Sequence, residues 1–530
     1  ALYDDFSADR IDSAKWDQIE FVREVDPVQK KLVSKVATET GGRRNRTLFA
    51  NSSSISAIEA LISVAETSLD TGNNTSAFAR IDGFFYNTQP SGGVTGDVWA
   101  SVRIVERGNG LEADWSIEEL LDENYSSWAT IASGTLIDSG TLEYDTEYKA
   151  TIEYNEINNS FTFSVAGTSI LIDASQLPSR QRPASGPDKY FTIGMDSDSQ
   201  NGVGYIHATF DDVYINNQGT AYDTFDAAPL DQTKWQHLEF VREIEDGKLR
   251  LTAHSKQNTE STSLYFAGFQ PYLEATVTVK SDSWINSGAK GRTRIDGFFY
   301  NDTYQPSQYN GREGDVWAQV YIDYYDNGTI EAKCFAERVM DANNTQQQQL
   351  FFQVFTIPII FDRPYTLSLR FTGTKFIFTC TDTVTETEES IEYQITTPAY
   401  EPSTNSLRLL SRVYGYGFSG YMAVEFDDVY VEADLAADFT ADVTSGPVPL
   451  SVNFTDQSTG DISSWSWDFG DGATSTEQNP AHTYTDPGTY TVTLTVTGPG
   501  RSDTETKADY IKVRSPSMAM PWIPLLLLDD

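Results

Sequence analysis

Catalysis near neutral pH most often relies on histidine, because imidazole titrates in that range. The 530-residue chain has only four, scattered along its length: His207, His237, His254 and His482. Its two cysteines, Cys334 and Cys380, form no CxxC pair, so they indicate no zinc or redox site, although they could form one disulfide. A Ser–His or Cys–His mechanism therefore lacks its histidine base, and the scattered cysteines offer no setting for a nucleophile. We expect a protein that is not an enzyme.

The charge balance favours cations as ligands. Lys and Arg number 37 against 77 Asp and Glu, for a net charge of −40, which repels nucleic acid and anionic membranes and suits calcium. The candidate calcium ligands are Asp196, Asp198, Asp211 and Asp427. The segment Asp196–Gly202 alternates oxygen-bearing side chains, but its glycine comes one residue late and no Glu closes the loop. Asp211 and Asp427 each precede a second Asp, and a structural surface role is favoured for both.

An eight-residue motif, RIDGFFYN, occurs twice, at 80–87 and 294–301. Strand alternation places its Arg, Asp, Phe and Tyr on one face: Arg80, Asp82, Phe84 and Tyr86 in the first copy, and Arg294, Asp296, Phe298 and Tyr300 in the second. This face predicts either a sugar-binding platform or a buried Arg–Asp pair among packed aromatics. The structural interpretation is favoured, since aromatic residues on sandwich strands usually pack.

The motif belongs to a longer repeat. Glu20–Glu24 (EFVRE) returns at Glu239–Glu243, displaced by 219 residues, and Gly96–Ala100 (GDVWA) returns displaced by 218. Because the order is preserved and the offset barely changes, a unit of roughly 217 residues is copied in tandem. Loop insertions account for the small differences in offset.

The elements of this unit are strands. Leu273–Val279 alternates apolar and polar residues, and its counterpart at 55–61 is assigned the same way. Asp326-Asn327-Gly328 between two alternating runs predicts a hairpin. Many short strands with frequent turns indicate an all-β sandwich or jelly roll.

The repeat resembles concanavalin A-like (laminin G-type) β-sandwiches. Each unit opens with Phe, Asp and Lys-Trp, as in Phe6, Asp12 and Lys15-Trp16, and closes with Phe-Asp-Asp-Val-Tyr. The resemblance implies that the first and last strands of each unit lie together. Glucanases of this fold carry Glu-x-Asp-x-Glu on one strand, and the same spelling stands at Glu143–Glu147, but a polar turn is favoured there.

The residues after Ala436 have a different character. Trp465–Gly472 (WSWDFGDG), Asn479–Tyr484 (NPAHTY) and Pro487–Val496 (PGTYTVTLTV) follow in order. This segment resembles a PKD domain, which implies a small Ig-like sandwich of extracellular proteins with no catalytic role of its own. Trp467 and Phe469 are expected to point inward from one strand.

Residues 521–528, just before the final Asp529-Asp530, are mostly apolar and too few to span a bilayer. Their apolar side chains are Trp522, Ile523, Leu525, Leu526, Leu527 and Leu528. An ordered apolar tail must dock, either on its own domains or on a neighbouring subunit, as in strand addition.

Together these patterns predict two tandem sandwiches at 1–217 and 218–435, a PKD domain at 436–515 and a tail at 516–530. We expect a secreted, mature, cell-surface structural protein that assembles with itself into a layer, sheath or filament. The alternatives are a carbohydrate-binding adhesin using the RIDGFFYN faces and, less favoured, a glycan hydrolase. Calcium is the one cofactor considered.

Overall fold

The protein is described by a computed structural model. It describes residues 2–38, 43–69, 75–197, 204–256, 259–266, 271–302, 313–341, 345–396, 407–414, 418–431, 435–460, 462–498 and 501–515. Apart from one short 3-10 turn at Ser52–Ser54, every regular element in these ranges is a strand, which confirms the all-β fold class. None of the described elements is a helix of the length and apolarity that a membrane crossing requires.

One sheet of sixteen strands runs through both repeats and is called the shared sheet. The first repeat contributes β1 (Leu2–Asp4), β2 (Phe21–Asp26), β3 (Lys31–Thr38), β5 (Ala57–Leu69), β10 (Tyr148–Asn155), β11 (Ser160–Val165), β12 (Thr168–Ile172) and β15 (Gly204–Ile215). The second contributes β16 (Phe240–Glu245), β17 (Lys248–Ser255), β19 (Tyr272–Val279), β20 (Trp284–Ile285), β25 (Pro364–Phe371), β26 (Lys375–Asp382), β27 (Thr387–Gln394) and β29 (Gly420–Val431). Its main order is β12-β11-β10-β5-β15-β3-β2-β16-β17-β29-β19-β25-β26-β27, and β1 and β20 both pair with β29.

Each half of the shared sheet is covered by a front sheet, so that two sandwiches form. Front sheet 1, in the order β4-β14-β6-β7-β8-β9 with β13 beside β6, contains β4 (Arg43–Leu48), β6 (Thr75–Asn87), β7 (Asp97–Glu106), β8 (Leu111–Leu120), β9 (Trp128–Leu142), β13 (Arg182–Pro183) and β14 (Lys189–Ser197). Front sheet 2, in the order β18-β28-β21-β22-β23-β24, contains β18 (Glu260–Tyr265), β21 (Lys290–Asn301), β22 (Asp315–Tyr325), β23 (Ile330–Val339), β24 (Gln347–Pro358) and β28 (Leu407–Tyr414). The strands at 57–69 and 272–279 and the hairpin across Asn327-Gly328 are as the alternation predicts.

The two halves meet at a local two-fold relation. In the antiparallel pairing of β2 with β16, Val22 lies opposite Val241, which occupies the same position of the other repeat. Arg23 Nε donates to the Leu238 carbonyl at 2.7 Å. Arg242 Nε donates to the Ile19 carbonyl at 2.8 Å, which is the equivalent bond with the two repeats interchanged. The repeats therefore share one continuous sheet, which joins the two sandwiches.

The first residues of each repeat complete the sandwich of the other. We call residues 2–17 arm 1 and residues 221–236 arm 2. Arm 1 places Phe6, Ile11 and Trp16 in the core of the second sandwich, and arm 2 places Phe225, Leu230 and Trp235 in the core of the first. The resemblance implied that the first and last strands of one unit lie together; here β1 pairs with β29, the last strand of the other repeat.

The third sandwich contains a sheet of β30 (Phe439–Ala441), β32 (Leu450–Asp456) and β35 (Ala481–Tyr484). Its second sheet contains β31 (Ser445–Pro447), β33 (Ser464–Asp468), β34 (Thr474–Ser475), β36 (Gly488–Gly498) and β37 (Arg501–Arg514). Trp467 and Phe469 are both buried in its core, as predicted.

Candidate functional site: two grooves on the front sheets

The RIDGFFYN and GDVWA motifs are the two strands of one hairpin in each repeat, β6–β7 and β21–β22. In the first, Arg80 Nε lies 2.7 Å from Asp82 Oδ2, and the indole N–H of Trp99 donates to Asp82 Oδ1 at 3.2 Å. The Arg80 guanidinium lies 4.8 Å from the centre of the Trp99 ring. Arg80 and Asp82 are both buried, and each provides the other with an opposite charge and a hydrogen-bond partner.

The second hairpin repeats this arrangement. Arg294 Nε is 2.6 Å from Asp296 Oδ2, and Trp317 Nε1 donates to Asp296 Oδ1 at 2.9 Å. Arg408 Nε adds a contact of 3.0 Å to the same carboxylate. Burial would raise the pKa of Asp296, but the Arg294 and Arg408 guanidinium groups hold it below its usual range.

The predicted position of the tyrosines is wrong. Strict alternation puts Tyr86 and Tyr300 on the same face as the Arg–Asp pair, but the ladder shifts register between Phe84 and Tyr86, and again between Phe298 and Tyr300. The shift turns both tyrosines into the sandwich cores, where they are fully buried. A β-bulge reverses the face of every residue after it, and alternation alone does not reveal where a bulge lies.

The last residue of the motif closes the hairpin. Asn301 Nδ2 donates to Asp315 Oδ1 at 2.9 Å, and Asn87 makes the same contact with Asp97. Asp97 also accepts the backbone N–H groups of Ser185 and Gly186, each at 2.9 Å. The repeated octapeptide is thus explained by a buried polar network that holds the hairpin.

Above each hairpin the front sheet is concave. Groove 1, with a volume of about 730 Å³, is bounded by Arg46, Arg80, Trp99, Trp115 and Trp128. Groove 2, with a volume of about 630 Å³, is bounded by Arg294, Trp317, Glu337, Phe352 and Arg412. Both cavities are of the size that accepts a small ligand or a few sugar rings.

Aromatic side chains stand exposed at the rims. In groove 1, Tyr125 is 47% and Trp128 37% exposed, and both rings lie 6.0 Å from the Phe84 ring. In groove 2, Phe352 on the edge strand β24 is 43% exposed. Tyr125 has a φ of 58° in a turn held by the Asp122 carboxylate, which accepts the N–H groups of Asn124 and Ser126. The turn therefore presents its aromatic ring at the rim.

One buried indole N–H beside groove 1 has no partner in the described part of the chain. Trp115 Nε1 is buried and has no hydrogen-bond partner among the described residues. Gly134, which also lines the groove, lies against it, because a Cβ there would be 3.1 Å from Nε1. The Trp115 ring packs in the core of the first sandwich, stacked on Phe163 with ring centroids 5.1 Å apart, so we assign this N–H no role in ligand binding.

The calcium candidates do not come together. Asp198 and the side chain of Asp196 lie outside the described residues. Asp211 and Asp427 each accept the N–H of the next aspartate, at 2.8 and 2.9 Å, and those aspartates have φ values of 45° and 46°. The ladders shift register at both positions, so the repeated Asp-Asp builds a bulge in each repeat. No group of three or more potential metal ligands occurs among the described residues.

The remaining candidates are separated from the grooves. Glu143–Glu147 forms an exposed turn with Asp145 at a φ of 55°, and Glu147 pairs with Lys31, so the two glutamates do not share a strand face. Cys334 and Cys380 are buried free thiols in the second core, on the front sheet and the shared sheet respectively, and the disulfide considered for them is not formed. The six apolar tail residues lie outside the described residues.

Sequence reasoning missed Trp99 and Trp317, although both stand in the repeated GDVWA motif. Pairing that motif with RIDGFFYN as one hairpin would have indicated them. It also missed Trp128, Phe352 and the arginines on β4 and β28, for which no repeated pattern exists.

The comparisons with known proteins concern parts of the chain. Residues 432–513 match the PKD domain family. The PKD1 domain of the Vibrio cholerae metalloprotease PrtV is 41% identical, covering 16% of this chain and all of that one, with a TM-score of 0.14. The alginate lyase Aly36B is 12% identical over 36% of this chain and 81% of its own (TM-score 0.22). The exoplasmic/lumenal domain of VIP36 is 10% identical over 36% and 83% (TM-score 0.22).

No curated protein matches the chain significantly. The family match agrees with the buried Trp467–Phe469 core and the two small sheets described above. Residues 432–513 of this chain therefore belong to the PKD domain family.

Proposed function

We propose that the protein is an extracellular, non-enzymatic adhesive protein that binds carbohydrate in groove 1 and groove 2. The observation that carries the proposal is the duplicated arrangement of a buried Arg–Asp–Trp floor beneath exposed rim aromatics, present on both front sheets. PKD domains are typical of extracellular proteins, which supports the location.

The chemistry suits a sugar. A pyranose ring has an apolar C–H face, which an exposed aromatic ring can cover, and hydroxyls that need polar partners. Trp128 and Phe352 supply such rings. Within each of the pairs Arg80–Asp82 and Arg294–Asp296, the two charges neutralise one another. The role of the pairs is therefore to hold Trp99 and Trp317 in place beneath the ligand.

The test is calorimetric titration of the full chain with a panel of oligosaccharides. We expect two sites per chain, of which Trp128→Ala weakens one about fivefold and Phe352→Ala the other, since an aromatic contact is worth about 1 kcal/mol. Tyr430→Ala is the control, because Tyr430 is 36% exposed on the shared sheet, outside both grooves. Equal losses in all three variants, or no binding to any glycan, would refute the proposal.

Catalysis is tested on the same panel. The turn containing Glu143 and Glu147 offers no pair of carboxylates across a groove, which supports binding without hydrolysis. Products appearing with the native chain, and lost in Glu143→Gln, would overturn this part of the proposal.

Self-assembly is a second proposal. The twelve-residue strand β24 ends its sheet, and its Phe352 and Val354 side chains are 43% and 42% exposed. A long edge strand with exposed apolar side chains is a surface on which another copy can add a strand. Light scattering and negative-stain microscopy of the full chain, beside a chain ending at Ser515, should show polymers that depend on residues 516–530; compact monomers of both would contradict it.

A further inference from the structure

The charge of the two grooves is opposite to that of the protein. The chain carries 37 basic and 77 acidic residues, yet the lining of groove 1 holds five arginines against three carboxylates. Groove 2 is lined by four arginines and two carboxylates. Because most of the surface repels anions, these two concavities are local exceptions.

In groove 1 the positive charge comes from the edge of front sheet 1. Strand β4 reads Arg43-Arg44-Asn45-Arg46, and Arg44 and Arg46 are exposed at the mouth. Among the described residues, no carboxylate lies within ion-pairing distance of Arg46, whose guanidinium lies 5.2 Å from the Tyr190 ring. A neighbouring concavity of about 730 Å³ shares Arg44 and Arg46 and extends to Arg23. The basic surface is therefore longer than one sugar ring.

Groove 2 is also positively charged, but its arginines stand at sheet positions different from those of groove 1. The register puts Ser263 of β18 where Arg46 stands in β4, and puts Arg408 and Arg412 of β28 where Tyr190 and Gly194 stand in β14. Arg408 forms an ion pair with Asp296. Arg412 has no carboxylate within ion-pairing distance among the described residues, and its guanidinium lies 5.3 Å from the Tyr414 ring. Of the groove arginines, only Arg80 and Arg294 occupy equivalent positions.

We propose that both grooves select anionic polysaccharides, whose chains carry carboxylate or sulfate groups. This rests on the proposed carbohydrate-binding function and adds the ligand class. The guanidinium groups of Arg46 and Arg412 pair with the anionic group, for which their planar donors are well matched. Trp128 or Phe352 covers the sugar ring beside it.

The experiment uses the full chain and oligosaccharides matched in backbone. Oligogalacturonate is compared with its carboxyl-reduced product, and carrageenan oligosaccharides with their desulfated product, by calorimetry. Tighter binding of either charged form supports the proposal, and the pair that responds identifies the anion. Equal binding of charged and neutral forms overturns the charge selection and leaves the carbohydrate function standing, whereas no binding to any of the four overturns both.

Variants separate specific pairing from general attraction. Arg46→Gln and Arg412→Gln are each expected to weaken one site for the charged ligand about tenfold, because a charged hydrogen-bonded contact is lost. Their effect on the neutral form should be smaller, because that form has no anionic group to pair with the guanidinium, so the ratio of charged to neutral affinity should fall. Arg514→Gln removes the same charge from the exposed face of β37 and is expected to have no effect. A loss as large in Arg514→Gln would overturn the assignment to the grooves.

Discussion

Trp235 packs against Phe49 with ring centroids 4.5 Å apart, although the two residues belong to different repeats. Trp16 and Phe266 repeat the contact at 4.5 Å in the other sandwich. The indole N–H groups of Trp16 and Trp235 are satisfied within their own arms, by Asp4 at 2.8 Å and Asp223 at 2.7 Å. Each arm thus makes the same internal hydrogen bond and the same aromatic contact with the sandwich of the other repeat, so the exchange is symmetric.

The exchange predicts where a core mutation acts. Trp235→Ala should destabilise the first sandwich and Trp16→Ala the second, each by about 3–5 kcal/mol, since a fully buried aromatic side chain is removed. Hydrogen exchange resolves this: in Trp235→Ala, protection should fall in β4 and β14 of the first repeat. Loss of protection confined to the second repeat would show that the arms are not exchanged.

The same relation predicts the behaviour of a single repeat. Residues 1–217 contain arm 1 but lack arm 2, so their sandwich has an open cleft that the arm of another copy can fill. Because Val22 pairs with Val241 at equivalent positions, two such copies can build the same joint sheet with true two-fold symmetry. We expect a dimer by sedimentation, which Trp16→Ala dissociates; a native-like monomer would contradict this.

Buried ion pairs beneath the grooves should be costly to break. Asp296→Asn leaves the Arg294 and Arg408 guanidinium groups without their carboxylate, so the second sandwich should lose about 3–5 kcal/mol. Asp438→Asn, which removes an ion pair with Lys507 on a side chain 57% exposed, should cost less than about 1 kcal/mol. Calorimetric unfolding of both variants checks the contrast, and similar losses would argue against burial as its cause.

A buried glutamate between the repeats should make stability depend on pH. Burial raises the pKa of Glu239 to about 8 from 4.5, while its Oε1 accepts the N–H groups of Val25 at 3.0 Å and Leu230 at 3.2 Å. The folded protein keeps a proton that the unfolded chain releases, so this contribution is full below pH 4.5 and is lost as pH rises to 8.

Glu239→Gln keeps the accepting oxygen and removes the titration. We expect the variant to match the native chain below pH 4.5 and to unfold at a higher temperature above pH 8. Thermal unfolding at both ends of this window provides the measurement. An unchanged difference between variant and native chain across the window would exclude Glu239 as the titrating group.

The sequence by itself determined the duplication, the all-β class and the PKD domain, because repeated motifs and local alternation are visible without long-range contacts. It also placed Arg80, Asp82 and Phe84 on one face, since alternation holds up to the bulge. Only the tertiary structure decided that Tyr86 turns inward, that the arms exchange, and that arginines from β4 and β28 gather in two grooves. Those outcomes depend on register shifts and on pairing between residues more than a hundred positions apart, as in Arg408 with Asp296, and neither leaves a periodic signal in the chain.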